Sequence, residues 1–210
     1  MIGKSWYSLY LIFLVVQVLL NCEKGFSPEE QLIINQILTT RLEKDSLFKH
    51  ADWSPLTLEE KEHFAGLKFF PVDLSLRFEG PLTYYETPLP DTIVGTKGDL
   101  RPAIRYAYFS FQYQDEPYRL EIYKILRDDP EYEKYLFLGF TDETTGDETY
   151  ATGRYIDLSE NSENHYVIDF NLAYNPYCAY NPRYTCAIPS EENRLPFAIR
   201  AGERTYKEHE

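Results

Sequence analysis

Two titratable side chains in one apolar segment are the best candidates for acid–base chemistry. His165 and Asp169 are four residues apart in "HYVIDFN", so on a β-strand they would share a face, with about 13 Å between their backbones. That separation prevents direct contact unless another strand intervenes. Arg154 and Glu148 are the residues that would assist Asp169 in a hydrolase or another enzyme. The chain contains no Gly-x-Ser-x-Gly elbow, His-Glu-x-x-His, phosphate loop or dinucleotide glycine pattern.

A second set of polar and aromatic side chains is suited to binding a ligand. Asp169 and Asn171 flank Phe170 and would point to one face of a strand, while Arg154 and Asp157 belong to the preceding strand. If these strands pair, a carboxylate, an amide and a guanidinium converge, as in many ligand pockets. The alternative is a structural ion pair with an Asx-type turn. The residues predicted to bind a ligand are Arg154, Asp157, Asn171, Tyr174, Asn175, Tyr177, Tyr180, Asn193 and Arg194.

The segment Asp169–Pro189, "DFNLAYNPYCAYNPRYTCAIP", contains two cysteines, four tyrosines and three prolines. Asn175-Pro176 and Asn181-Pro182 both favour turns, because the residue before proline is driven out of the helical region. The segment must therefore fold back on itself. Its tyrosines would supply large, rigid contact area with a hydroxyl at each tip. They either cap the open end of the β core or line a pocket.

The cysteines divide by position into one near the N-terminus and two in this tyrosine-rich segment. In an oxidising compartment Cys178 and Cys186 are expected to pair, and closing so short a loop would stabilise the fold by about 2–3 kcal/mol. A metal site is the alternative, but His165 is the only nearby imidazole, and thiolate sites usually supply four ligands. We therefore predict a disulfide, no metal and no cofactor.

The first twenty residues indicate export. Lys4 is their only charge, and Leu9–Leu20 is almost entirely apolar. A transmembrane helix needs about 20 apolar residues, so this shorter run predicts a signal peptide over residues 1–21, with an uncleaved anchor as the alternative. "LLNC" resembles a bacterial lipobox that would make Cys22 the lipidated first residue. Asn21 is an uncommon occupant of its position, so ordinary cleavage is the other interpretation.

The chain is strongly acidic, with a formal net charge of -13. Residues 1–21 carry only the positive charge of Lys4, so their removal changes -13 to -14. Such a charge opposes binding to nucleic acid and to anionic lipid head groups. The predicted partners are a membrane, through the lipid anchor, and a carbohydrate or peptide ligand. The predicted location is the bacterial cell envelope.

Two helices precede a β-rich region. Ser27 and Glu30 form a capping box before helically spaced apolar residues, and Thr57 and Glu60 repeat the pattern. From residue 68 onward, short apolar segments separated by turn residues predict an antiparallel β-sandwich or barrel-like meander. The predicted organisation is a signal peptide (1–21), a helical segment (22–66) and a β-rich domain (67–210). The predicted strands are 74–78, 92–95, 103–113, 117–126, 135–140, 150–158, 165–170 and 197–201.

Two sequence blocks carry a family resemblance. "ETYATGRYIDL" and "IDFNLAYNPYCAYNPRYTCAIPSEENRLPFAIRAGE" resemble the bacterial family called domain of unknown function 1684, and "SPLTLEEKEHFAGLKFFPVD" resembles its N-terminal portion. The resemblance covers most of the chain and implies no established activity. The functional hypothesis is therefore a binding or structural module of the envelope, and the rival is an enzyme that uses Asp169.

Overall fold

The structure, a computed structural model, describes residues 25–207. The predicted signal peptide and Cys22 lie outside these residues. The chain divides into two units, residues 1–35 and residues 36–210. Helix α1 begins in the first unit, and every other element described here belongs to the second. The predicted domain boundaries at residues 21 and 66 stay predictions.

Both predicted helices begin at their predicted caps. Helix α1 (Pro28–His50) follows Ser27, whose Oγ accepts a hydrogen bond of 3.1 Å from Glu30 N, while Glu30 Oε2 accepts one of 2.7 Å from Ser27 N. Helix α2 (Leu58–His63) has the same reciprocal capping box between Thr57 and Glu60. Neither of these helices is long and apolar enough to cross a membrane.

Seven strands form two antiparallel sheets. The larger sheet has the order β2-β3-β4-β5-β6, which is also the chain order, and the smaller sheet pairs β1 with β7. Within the described chain β2 and β6 do not pair, so the larger sheet is an open meander. The prediction of a mainly β, sandwich-like fold with an N-terminal helical segment is confirmed. The strands are β1 (Arg77–Gly80), β2 (Leu82–Val94), β3 (Leu100–Tyr113), β4 (Glu116–Ile125), β5 (Tyr135–Phe140), β6 (Arg154–Ser159) and β7 (Tyr166–Asp169).

The main core lies on the face of the larger sheet that carries alternate residues of β3. Ala107 and Phe109 are buried there with Ile168 of the smaller sheet. A register shift between Arg105 and Ala107 interrupts the alternation, so Ala103 belongs to a second cluster with Tyr155 of β6. Buried and less buried residues therefore alternate in the second half of β3, and the buried face reverses across the bulge.

The predicted strand at residues 197–201 is wrong, because this segment is irregular. The carbonyl of Ile199 accepts a hydrogen bond of 2.8 Å from Arg154 Nη2, and the carbonyl of Ala201 accepts one from Arg154 Nη1. A buried guanidinium thus satisfies backbone acceptors that a neighbouring strand would otherwise have satisfied.

Candidate functional site

Asp169 and His165, the predicted acid–base pair, contact different partners and differ in burial. Asp169 is buried at the end of β7, where its Oδ1 accepts hydrogen bonds of 2.9 Å from both the backbone N and the Nδ2 of Asn171. Its Oδ2 lies 3.5 Å from Arg77 Nε. Burial raises the pKa of Asp169, although the Asn171 hydrogen bonds oppose that shift. His165 is exposed, with its Nε2 3.7 Å from Glu79 Oε2.

Asn171 is fully buried and uses all of its side-chain groups within the protein. Its Oδ1 accepts a hydrogen bond of 2.8 Å from Asp73 N, and its Nδ2 donates to Asp73 O at 2.8 Å. The backbone carbonyl of Asn171 accepts a hydrogen bond of 2.9 Å from Arg41 Nη2. This arrangement corresponds to the alternative that the sequence left open, an Asx-type turn beside an ion pair.

Arg154 is not beside Asp169, because β6 and β7 belong to different sheets. The two strands do not pair, so the predicted convergence under the tyrosine-rich segment is wrong. The guanidinium of Arg154 is completely buried, and its Nη2 lies 2.8 Å from Asp142 Oδ2. Burial lowers the pKa of Arg154, while the charge of Asp142 opposes that effect. The contacts of Arg154 join β6 to the irregular segment 197–201.

Asn175 and Tyr180 bind a second buried carboxylate, that of Glu203. Asn175 N donates to Glu203 Oε2 at 2.9 Å, and the Tyr180 hydroxyl donates to the same oxygen. The other oxygen, Oε1, lies 2.6 Å from Lys44 Nζ. Burial raises the pKa of Tyr180 well above its ordinary value, so this hydroxyl stays a donor. Both residues therefore anchor the tyrosine-rich segment in the interior.

Asn193, Arg194 and Glu148 lie in three different environments. Asn193 is buried and forms three side-chain hydrogen bonds, of which two, at 2.6 and 2.8 Å, join it to the backbone N and O of Glu121 in β4. Arg194 is exposed. Glu148 Oε1 accepts a hydrogen bond of 2.8 Å from Arg200 Nε. The structure does not bring these three side chains together.

Asp157, in contrast, lies at the surface and is surrounded by tyrosines. Its Oδ1 accepts a hydrogen bond of 2.6 Å from the Tyr174 hydroxyl and one of 3.2 Å from the Tyr135 hydroxyl. Tyr174 is fixed by backbone hydrogen bonds to Tyr155 of 2.9 and 3.0 Å. Burial and the charge of Asp157 raise the pKa of both Tyr174 and Tyr135, so both hydroxyls remain protonated donors. Asp157 and Tyr174 are thus two predicted ligand-binding residues that the structure does bring together.

Further aromatic rings extend outward from this point. Tyr177 and Trp53 are exposed, at 37% and 51%, and their rings are nearly parallel, with centroids 6.4 Å apart. Tyr184 lies 5.2 Å from Tyr177 between ring centroids, and Tyr132 lies 5.6 Å from Tyr135. Burial raises the pKa of Tyr177, and Tyr184, Asp157 and Tyr132 add to the shift. We define the aromatic surface as Trp53, Tyr132, Tyr135, Tyr174, Tyr177 and Tyr184.

Cations cover some of these rings. Arg183 stacks over Tyr184 at 4.8 Å, and Arg127 stacks over Tyr132 at 4.6 Å. Lys44 lies 4.3 Å from the centroid of Tyr174. Within residues 25–207, no cation stacks on Trp53 or Tyr177. These two exposed rings are therefore the ones that a ligand could cover.

Cys178 and Cys186 are both free thiols in the structure. Cys186 Sγ accepts a hydrogen bond of 3.2 Å from Cys178 N. The predicted disulfide is not formed here and stays a proposal. In the described part of the chain, no group of three or more histidine, cysteine or acidic side chains could hold a metal ion.

A groove of about 580 Å³ lies beside the turn between β3 and β4. Its lining contains none of the predicted site residues, so it adds nothing to the aromatic surface. The lining residues are Ser110, Phe111, Gln112, Pro117, Tyr118 and Arg119.

Sequence reasoning missed four residues of this region: Trp53, Lys44, Tyr132 and Tyr135. Each is far from the segment Asp169–Pro189 in the chain. Trp53 is the only tryptophan outside the predicted signal peptide, but its exposure, like the positions of the other three residues, could be found only from the tertiary structure.

The fold and the surface define an antiparallel β protein with two sheets and an aromatic surface to which the tyrosine-rich segment and more distant parts of the chain contribute. The chain belongs to the family described as Protein of unknown function (DUF1684), whose model matches residues 62–204. The predicted family membership is confirmed. The chain is also similar to an uncharacterized protein from Haloarcula marismortui whose solution structure was solved by NMR. The two are 34% identical, with a TM-score of 0.65, and the match covers 88% of this chain and 100% of that chain. No curated protein matches.

Proposed function

We propose that this protein binds carbohydrate through the aromatic surface. The observation that carries the proposal is the exposed, nearly parallel pair of rings formed by Trp53 and Tyr177. The apolar face of a sugar ring packs on such rings through weak C–H contacts. Asp157 and the hydroxyls of Tyr135 and Tyr174 supply adjacent polar groups for sugar hydroxyls.

The charge of the chain and its uncovered rings support a sugar over an anionic polymer as the ligand. The chain has a net charge of -13, which repels nucleic acid. Arg127 and Arg183 are already stacked on Tyr132 and Tyr184, so within residues 25–207 Trp53 and Tyr177 are the exposed rings of this surface that carry no stacked cation. A ligand that stacks on aromatic faces and offers hydroxyls matches both features.

Tryptophan fluorescence tests the proposal directly. The chain has two tryptophans, Trp6 and Trp53, so in the Trp6→Phe variant all tryptophan emission comes from the aromatic surface. We would titrate this variant with chitohexaose, cellohexaose and maltohexaose and confirm binding by calorimetry. A saturable change in emission is expected with at least one of them. In the same background, Tyr177→Ala should weaken binding about tenfold, which corresponds to about 1.4 kcal/mol.

Tyr84→Ala is the matched control. Tyr84 is 40% exposed, close to the 37% of Tyr177, but it lies on β2, outside the aromatic surface, where its ring packs on Tyr106 of β3. This variant should bind the sugar as well as its Trp6→Phe parent does. The proposal is overturned if no glycan gives a saturable change, if Tyr84→Ala weakens binding as much as Tyr177→Ala, or if only peptides bind.

We further propose that the chain is exported and anchored to a bacterial membrane by lipid on Cys22. The support is the apolar run Leu9–Leu20 followed by "LLNC". In cells grown with a labelled fatty acid, the wild-type chain should carry label and sediment with membranes. Cys22→Ser should lose both properties, whereas Cys178→Ser should keep both. Equal labelling of the Cys22→Ser variant contradicts the anchor.

We also propose that Cys178 and Cys186 form a disulfide after export. The 3.2 Å hydrogen bond from Cys178 N to Cys186 Sγ supports this pairing, because it brings the two residues into contact. Protein from the periplasm should show neither thiol by alkylation and mass spectrometry. Free thiols at both positions would contradict the proposal.

A further inference from the structure

The two thiols occupy unequal positions. Cys178 is half-buried in the turn Tyr177–Ala179, whereas Cys186 is 8% exposed. Cys186 is held on both sides of its backbone by Thr96, whose Oγ1 accepts a hydrogen bond of 3.1 Å from Cys186 N and whose N donates to Cys186 O at 2.9 Å. Cys178 is therefore the more exposed of the two cysteines, and Thr96 fixes the backbone of Cys186.

The two cysteines interact, and the interaction affects them unequally. The Cys186 thiol, followed by the hydroxyls of Tyr150 and Thr96, lowers the pKa of Cys178 to about 6. The same interaction with Cys178 raises the pKa of Cys186. Donors that stabilise a thiolate are typical of reactive cysteines.

We propose that Cys178 and Cys186 form a thiol–disulfide exchange site in which Cys178 is the attacking sulfur and Cys186 is the resolving sulfur. The inference extends the proposed pairing of these cysteines and does not depend on carbohydrate binding or the lipid anchor. In this reaction the two cysteines would reduce a disulfide of a small molecule or of another protein.

The exchange proceeds in two balanced steps. The Cys178 thiolate attacks one sulfur of a disulfide RSSR, forms a mixed disulfide with it and releases one thiolate RS⁻. The Cys186 thiol then loses its proton to the departing thiolate or to water, attacks the Cys178 sulfur and releases the second RS⁻. The protein dithiol is oxidised by two electrons, and RSSR is reduced to two thiols.

Trapping the mixed disulfide tests the order of attack. We would use the full chain carrying Cys22→Ser, which leaves only Cys178 and Cys186 as thiols, and add bis(2-hydroxyethyl) disulfide to the reduced protein. After an acid quench, intact mass should show one stable adduct on Cys178 in the Cys186→Ser variant. The adduct on Cys186 in the Cys178→Ser variant should form at least about tenfold more slowly, because Cys186 is only 8% exposed and the disulfide reagent reaches it less readily.

The pH dependence gives a second readout in protein that keeps both sulfurs. Alkylation of Cys178 should reach half its maximal rate near pH 6, as its pKa of about 6 requires, rather than near pH 8.5, which is about the value for an unperturbed cysteine. Tyr150→Phe removes one donor and should move the midpoint upward. Circular dichroism of every variant checks that it is folded.

The outcomes separate this inference from the proposed pairing. If excess disulfide oxidises the pair but Cys178 and Cys186 form adducts equally fast, the pairing holds and the exchange order is overturned. A Cys178 midpoint near pH 8.5 also overturns it. If the parent protein remains a dithiol in excess disulfide, both the pairing and the exchange are overturned.

Discussion

Arg154→Met should destabilise the fold strongly, although Arg154 was predicted to bind a ligand. Its guanidinium is completely buried and forms an ion pair of 2.8 Å with Asp142. The same group donates to the carbonyls of Ile199, at 2.8 Å, and of Ala201. In the variant, Asp142 Oδ2 loses its charged partner, and these buried carbonyls lose their donor.

The size of this destabilisation follows from breaking the buried ion pair of Arg154 and Asp142. Removing one member of such a pair costs about 3–5 kcal/mol, because the other charge stays uncompensated. Each buried carbonyl left without a donor adds up to about 1–3 kcal/mol, partly relieved by relaxation. We expect a loss of about 4 kcal/mol, a large part of the 5–15 kcal/mol that is typical of total stability. For a chain of this size, the melting temperature should fall by about 8–16 °C.

Urea and thermal unfolding followed by circular dichroism measure this loss. Arg194→Met is the matched control, since Arg194 is exposed and surface substitutions usually change stability by less than about 0.5 kcal/mol. A melting temperature for Arg154→Met within about 2 °C of the wild type, below the shift expected for 1 kcal/mol, would refute the structural role. If that variant also lost glycan binding, the original ligand-binding hypothesis would be the better one.

Three further predictions concern a buried asparagine, a helix cap and a buried carboxyl group. Asn193→Ala should cost about 2–3 kcal/mol in urea unfolding, because it leaves the buried backbone N and O of Glu121 without their side-chain partner; a loss below about 0.5 kcal/mol would contradict this. Thr57→Ala removes the capping box with Glu60 and should cost about 1 kcal/mol by the same measurement, whereas Thr57→Ser should be nearly neutral. Burial raises the pKa of Asp169, so the folded state holds this proton at higher pH than the unfolded state. The wild type should therefore gain stability relative to Asp169→Asn as pH falls from neutral through that raised pKa, and the opposite slope in thermal melts would contradict the burial effect.

Local sequence signals predicted the elements that are stabilised by contacts between residues close together in the chain. The capping boxes at Ser27 and Thr57 fixed the starts of both helices, because the donor and acceptor are three residues apart in the chain. Strand β5 begins and ends as predicted, since its apolar run is bounded by turn residues. The hairpin after β3 turns at Gln114 and Asp115, both with positive φ, which the tight spacing between β3 and β4 requires.

The predicted convergence of Arg154 and Asp169 depended on which strands pair. Asp169 ends β7 and His165 immediately precedes it. Strand β7 pairs with β1, so their partners are Arg77 for Asp169 and Glu79 for His165. Strand β6 pairs with β5, which takes Arg154 away from Asp169. Hydrophobic alternation identifies strands equally well in either arrangement, so it could not choose between these partners.

The amino-acid sequence by itself determined the family, the antiparallel β class, the helix starts and the tyrosine-rich segment, because each of these is encoded by residues close together in the chain. Only the tertiary structure decided which polar side chains are buried in internal hydrogen bonds and which remain at the surface. Arg154 and Asn171 were chosen as ligand-binding residues for their chemistry, yet both are completely buried. Trp53 and Tyr177 meet across more than a hundred residues of chain. Contacts of that range depend on how the sheets and connecting segments pack, and this information is distributed over the whole core.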